Sequence, residues 1–392
     1  VFSSYTGSLA DNFGFTAANN ANAELYGGGI VFDAGYPFVT GSYSSTFEGG
    51  GTDIGISRFS ADGAALIYST YIGGNGVDAP HSMIINSLGQ LVVLGSTASD
   101  NFPMLGSSYD DGFNGGTNQP VTGSGMTYAN GSDIIVFVFN EAGSALAGST
   151  YLGGSGNDGL NLNVSLAFNY GDEFRGEVVV DDLDNIYIAS NTLSSDMPLV
   201  GGVDNSLGGT QDGFVAKFNS NLSALSWSTY IGGSNADASY SLKLALNGTV
   251  YVSGGTVSSD MNIPGTGLFP TFNGGQADGY LLALSNDGST LLAGTYLGTS
   301  EYDQSYFIEV DDDQDVYVVG QSIGSYPVSA LYSEPGSHQF IQKMNPELTS
   351  SIYSTVFGSN SNTINISPTA FLVDTCERVY VGGWGGSTNG IG

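Results

Sequence analysis

Tyr68-Ser-Thr-Tyr-Ile-Gly-Gly74 returns along the chain as Gly148-Ser-Thr-Tyr-Leu-Gly-Gly154, Trp227-Ser-Thr-Tyr-Ile-Gly-Gly233 and Ala293-Gly-Thr-Tyr-Leu-Gly-Thr299. Ser3-Ser-Tyr5 and Ser354-Thr-Val-Phe-Gly358 are weaker copies. The third residue of each Ser-Thr-Tyr stands at 5, 71, 151, 230, 296 and 356, so the period is 60–80 residues. A fixed long period is the mark of a repeat architecture and takes precedence over local pattern.

Two further elements recur in phase. One is an aromatic-centred run ending in a small residue, at 38–41, 92–95, 187–190, 251–254, 317–320 and 380–383. The other alternates after an acidic or polar start, as in Asp133-Ile-Ile-Val-Phe-Val-Phe139 and Asp212-Gly-Phe-Val-Ala-Lys-Phe218. A fourth apolar run, such as Met83-Ile-Ile85, precedes the aromatic one. Each run is short, β-branched or aromatic, and bounded by Gly, Asn, Asp or Ser, which reads as strand. No apolar period of 3.6 is sustained, so helix should be nearly absent. Four antiparallel strands per unit, repeated, predict an all-β protein, a β-propeller. A string of small β-sandwiches is the competing architecture, and each would need a core from about 65 residues. The blade units fall near 24–72, 81–152, 173–231, 241–297, 305–357 and 368–386 of one domain spanning 1–392. Six blades are partly visible. The ends fall mid-repeat, which reads as a piece of a longer protein.

Composition narrows the function. The 392 residues carry six Lys and Arg against 37 Asp and Glu, a formal charge of −31. Six cations cannot build the basic stripe that nucleic acid requires, and an anionic membrane surface repels such a chain. No apolar run is long enough for a spanning helix, so direct membrane insertion is not expected. Aromatic residues at 12% argue against disorder. Cys376 is the only cysteine, which excludes a disulfide framework and a Cys-based zinc site.

The pattern Asp-Gly-Phe-Val-Ala-Lys-Phe-Asn at 212–219, with Ser-Thr-Tyr-Ile-Gly-Gly and Val-Tyr-Val-Ser-Gly at 250–254, resembles the SBBP (seven-bladed β-propeller) repeat of bacterial exported proteins. The segment from Ser367 to Asp374 and on to Gly383-Trp-Gly-Gly386 is similar to large cell-surface proteins of Bacteroidetes, many of them gliding-motility-associated and exported by type IX secretion. The resemblance covers essentially the whole chain. It implies seven blades in a complete ring and an extracellular or outer cell-surface location. It also implies the strand order of related propellers, with the Met83-type strand innermost and the Tyr151-type outermost. The tight turns at 61–63, 87–89, 182–184 and 286–288 then share one face. The long loops at 96–132, 191–211, 255–277 and 321–337, with 153–172, share the other, where a ligand is expected.

Candidate residues follow. Seven positions after each strong anchor stands Asp78, Asp158, Asp237 or Asp303. A ring of carboxylates suits Ca²⁺; a plainer role is accepting backbone N–H bonds in a turn. Asp181-Asp-Leu-Asp184 and Asp311-Asp-Asp313-Gln-Asp315 look like short calcium loops without an EF-hand's Gly and distal Glu. Phe102, Tyr109, Phe113, Tyr128, Phe269 and Phe272 lie in long loops, where they stack on sugar rings or pack between blades. His81 and His338 fall in different repeats, and no Gly-x-Ser-x-Gly elbow sits between a strand and a helix. The reading is a non-catalytic, adhesin-like binding module that requires no cofactor, with Ca²⁺ as a candidate ion. Its partner would be a polysaccharide or a protein of the cell surface or secretion machinery. A polysaccharide-active enzyme using loop carboxylates and a structural passenger of secretion are the alternatives.

Overall fold

The computed structural model describes residues 12–122, 124–359 and 364–385. Five four-stranded antiparallel sheets and one two-stranded sheet follow each other along the chain. The first holds β1 (Asn12–Asn19), β2 (Leu25–Val31), β3 (Asp53–Phe59) and β4 (Leu66–Ile72). The second holds β5 (Asp78–Ile85), β6 (Leu91–Thr97), β9 (Asp133–Phe139) and β10 (Leu146–Leu152); its long loop carries the two-residue strands β7 (Gln119–Pro120) and β8 (Thr127–Tyr128). The third is β11 (Glu177–Val180), β12 (Ile186–Thr192), β13 (Asp212–Phe218) and β14 (Leu225–Ile231). The fourth is β15 (Asp237–Leu244), β16 (Val250–Thr256), β17 (Asp278–Leu284) and β18 (Leu291–Leu297). The fifth is β19 (Asp303–Val310), β20 (Val316–Ser322), β21 (Gln339–Met344) and β22 (Ser351–Phe357), and the last sheet pairs β23 (Ile366–Val373) with β24 (Val379–Gly385). Among the described residues the only helical element is a 3₁₀ turn, Asp172–Phe174.

The first strand of each sheet packs on the first strand of the next: β1 on β5, β5 on β11, β11 on β15, β15 on β19 and β19 on β23. The sheets therefore stand as blades around an axis lined by their first strands. The fold is a β-propeller. Middle strands such as β6, β9, β12, β16 and β17 are buried along their whole length. That is why they read as apolar runs; the outer strands β4, β10, β14 and β18 are buried over their last five residues.

The blades match the sequence reading except at the start. The aromatic run at 38–41 was expected to be a strand of the first blade, but it lies in the β2–β3 loop and Phe38 is exposed. The strand it was taken for is Leu25-Tyr-Gly-Gly-Gly-Ile-Val31, whose three glycines hide its β pattern. The first blade accordingly begins at Asn12 rather than near residue 24. The Ser3-Ser-Tyr5 copy lies outside the described residues.

The repeat itself is explained at the blade junctions. The Ser-Thr-Tyr hydroxyls clamp the long loop of their own blade. Thr150 Oγ1 accepts from Asp110 N (3.0 Å), and Tyr151 Oη donates to Ser99 O (2.8 Å) while accepting from Phe102 N (2.9 Å). Thr229 and Tyr230 do the same for Asp204, Ser194 and Met197. The first glycine of Gly-Gly leaves room for two aspartates. A Cβ on Gly153 would stand 3.1 Å from Asp158 Oδ2 and closer still to Asp133.

Candidate functional site, the axial cavity

The four predicted aspartates are buried; Asp78, Asp237 and Asp303 open the inner strands β5, β15 and β19, and Asp158 precedes the segment that replaces the start of the third. Asp78 accepts from Gly74 N (2.8 Å), Ser99 Oγ (2.9 Å) and Thr97 Oγ1. Asp158 repeats this with Gly154, Ser194 and Thr192, and Asp237 with Gly233, Ser258 and Thr256. Asp303 accepts from Thr299 through its N–H (2.6 Å) and hydroxyl (2.8 Å). Burial pushes each of them up to about 6, against the pull of these donors. They are hydrogen-bond acceptors, one to a junction, and do not converge on a common point.

The two acidic turns already hold lysines. Lys343 Nζ lies 2.9 Å from Asp311 and 3.1 Å from Asp315, and Lys217 lies 3.5 Å from Asp181. Asp184 accepts from Ser87 N (2.8 Å) and Oγ (2.6 Å) of the neighbouring blade, and Asp313 is exposed. Among the described residues no three His, Cys, Asp or Glu side chains are placed to hold a metal ion.

The six loop aromatics pack into the blades. Phe102 and Tyr128 are fully buried. Tyr109 sits against Phe218 of the next blade, Phe113 against Tyr151 and Phe272 against Tyr296, while Phe269 joins the core between the third and fourth blades. These contacts lie within a blade for Phe113 and Phe272 and between blades for Tyr109 and Phe269.

What the sequence reading missed lies on the axis. The pairing of first and second strands slips between Gly14 and Thr16, Pro80 and Ser82, Ser239 and Ser241, Ser305 and Phe307, and Pro368 and Ala370. Each slip leaves one bulged residue: Phe15, His81, Tyr240, Tyr306 or Thr369. Bulges re-aim side chains, and here Phe15, His81, Tyr240 and Thr369 line a cavity of about 680 Å³ on the axis. Tyr306 stacks on Tyr240 with centroids 5.7 Å apart. In three strands the bulge falls three residues after the repeat aspartate (78 to 81, 237 to 240, 303 to 306), a signal present in the sequence.

The third blade departs from this plan. Asp158 still bridges Thr192, but the chain then leaves the sheet and returns only at Glu177. The intervening residues plug the axis. Leu160 and Phe174 join one apolar cluster above the inner strands, and Leu166 and Phe168 join another. Asn161 Nδ2 donates to Tyr240 Oη (3.0 Å), and Asn169 Nδ2 donates to Tyr306 Oη (2.8 Å). Asp172 accepts from Asn169 N (2.7 Å) and pairs with Arg175 (2.5 Å). The guanidinium lies 4.3 Å from the Tyr306 ring centroid and donates to Pro368 O (3.0 Å). Burial, then Asp172, push the hydroxyls of Tyr240, Tyr302 and Tyr306 well above their usual range.

The cavity lies beneath this plug. Its walls reach Ile84, Val179, Lys243 and Phe371 towards the tight-turn ends of the inner strands, with exposed Trp384 at the rim. Tyr170 and Gly171, at the end of the 153–172 loop, line it as well. His81 Nε2 is 3.0 Å from Ser96 Oγ, while Nδ1 is buried without a partner. Burial drops the imidazole to about 3, so the ring is neutral. Lys243 is held between Glu177 (2.8 Å) and Glu309 (3.5 Å).

No protein-family model matches the chain, and no curated protein matches it. Solved structures do. A protein of unknown function from Dyadobacter fermentans DSM 18053 is 10% identical, with 98% of this chain and 97% of that one aligned at a TM-score of 0.45. The NanB sialidase of Streptococcus pneumoniae is 9% identical over 97% of this chain and 66% of that one, at a TM-score of 0.46.

Proposed function

We propose that the chain is a ligand-binding propeller of a secreted or cell-surface bacterial protein, and that it takes a neutral saccharide segment into the axial cavity without turning it over. The cavity carries this reading. Its volume of about 680 Å³ is that of a small-molecule or oligosaccharide site, and its walls mix aromatic faces with a few convergent polar groups. Aromatic rings at the rim suit sugar faces, and the unpartnered His81 nitrogen suits a hydroxyl. The cations at the site are already paired with carboxylates, and the acid excess of the chain works against an anionic ligand. Glu177 and Glu309 share Lys243, which ties both carboxylates into one ion-paired group.

The test is a glycan array with the 1–392 protein, followed by calorimetry on the hits with Trp384→Ala and Phe371→Ala. Both side chains are at least partly exposed, so the fold should tolerate their loss. We expect one class of neutral glycan to bind and each variant to weaken it at least tenfold. Glycan binding that is unaffected by both variants would move the site elsewhere, and release of reducing ends would replace binding with catalysis.

A further inference from the structure

The junction aspartates come in pairs. Across Gly73, the Asp53 carboxylate at the start of β3 faces Asp78, and across Gly298 Asp278 faces Asp303; both carboxylates of each pair lie within 3.1 Å of where a Cβ on that glycine would stand. All four side chains are fully buried. The members of a pair are not equivalent. Asp78 and Asp303 receive hydroxyl and backbone donors, as described above. Asp53 and Asp278 accept one backbone N–H through Oδ2, from Glu48 (2.8 Å) and Asn273 (2.6 Å) respectively. Oδ1 of each is buried with no partner, as is Oδ1 of Asp303.

Two buried carboxylates so close require positive charge. The chain has six Lys and Arg in all, and each is engaged elsewhere: Arg58 with Glu24, Arg175 with Asp172, Lys217 with Asp181, Lys243 with Glu177, Lys343 with Asp311 and Arg378 with Asp374. A metal ion would need six or more oxygen ligands, yet the donors around Asp78 already take most of its lone pairs. A proton needs only the free Oδ1. It turns two facing acceptors into a donor and an acceptor.

We propose that Asp53 and Asp278 are neutral carboxylic acids in the folded ring, each donating from Oδ1 towards its partner carboxylate, so that the propeller takes up protons as it folds. The surroundings agree. Asp53 is faced by Asp78, Glu48 and Tyr71, and Asp278 by Asp303, Tyr296 and Tyr326, with no cation among them. Burial first, then the partner carboxylate, raise both acids to about 7. A carboxyl whose folded value lies above its unfolded value contributes most stability at low pH, and that contribution is lost as pH rises through the folded value. The window here runs from about pH 4 to 8. Asp133 and Asp212 form similar pairs, but backbone N–H groups reach both of their oxygens. An amide there would set NH₂ against N–H.

The experiment is thermal melting between pH 5 and 8.5 of the wild type, of D53N/D278N and of the exposed, charge-matched control D312N/D313N. An amide places its NH₂ where the acid O–H stands. We expect the wild-type Tm to fall with rising pH. D53N/D278N should raise Tm at pH 8 by on the order of 2 °C and flatten the slope, while the control leaves the slope in place. The infrared carbonyl band of protonated carboxylic acid should be present in the wild type at pH 6 and weaker in D53N/D278N; the wild-type spectrum tests the idea even if the variant does not fold. Absence of that band, or a pH slope unchanged in D53N/D278N, would overturn the proposal. So would a Ca²⁺-dependent rise in Tm that the double variant abolishes, since the counter-ion would then be a metal.

Discussion

The blade junctions and the axial plug solve the same problem, burying polar groups between blades, in opposite ways. At the junctions one solution is repeated: Ser-Thr-Tyr clamps the loop, glycine yields space, and aspartate collects the freed N–H groups. The plug at 159–176 occurs once, and its Asp172, Arg175, Asn161 and Asn169 are held by residues of the following blades. Scaffold chemistry is thus written in the repeat, and site chemistry where the repeat breaks. Three substitutions and one control sharpen this contrast.

The largest effect should come from the plug. Asp172→Ala leaves Arg175 buried with a backbone carbonyl as its remaining polar partner. Breaking one side of a buried pair costs about 3–5 kcal/mol, to be read by urea denaturation. A loss comparable to an exposed ion pair would show that the plug is loosely seated. Next is a junction glycine. Gly153→Ala drives a Cβ against the Asp133 and Asp158 carboxylates and should cost about 1–3 kcal/mol, whereas Gly27→Ala, with open space around it, should stay within about 0.5 kcal/mol of the wild type. The smallest of the destabilising effects should be Tyr151→Phe. It removes one hydroxyl and strands the buried Phe102 N–H, for about 1–2 kcal/mol, with the ring packing intact.

The same contrast explains what the sequence disclosed. Strands buried on both faces, such as Asp133–Phe139, announce themselves as apolar runs, and the Ser-Thr-Tyr anchor sets their phase. The first blade misled because β2 carries three glycines in seven residues, so its centre shows no side-chain pattern to read. The loop aromatics left two readings open because length and ring content do not say which way a ring faces; Tyr109 turns to Phe218 in the next blade. Single-occurrence features leave no period to detect, so the plug could be read only as a long loop. The bulge was legible in principle, three residues beyond the repeat aspartate, but a lone His81 carries no meaning until Tyr240 and Tyr306 are seen to share its place.

That shared place has a further consequence. One bulged position in each inner strand other than β11 faces the axis, and those of β15 and β19, Tyr240 and Tyr306, also hold the plug through Asn161 and Asn169. Exchanging Phe15, His81 or Thr369 would alter the lining and leave the plug's tyrosine contacts in place. Duplicating a blade would likewise add a scaffold unit together with one fresh, freely chosen lining residue. A ring built this way can drift from one ligand to another by a handful of point changes, with selection on its selectivity decoupled from selection on its folding.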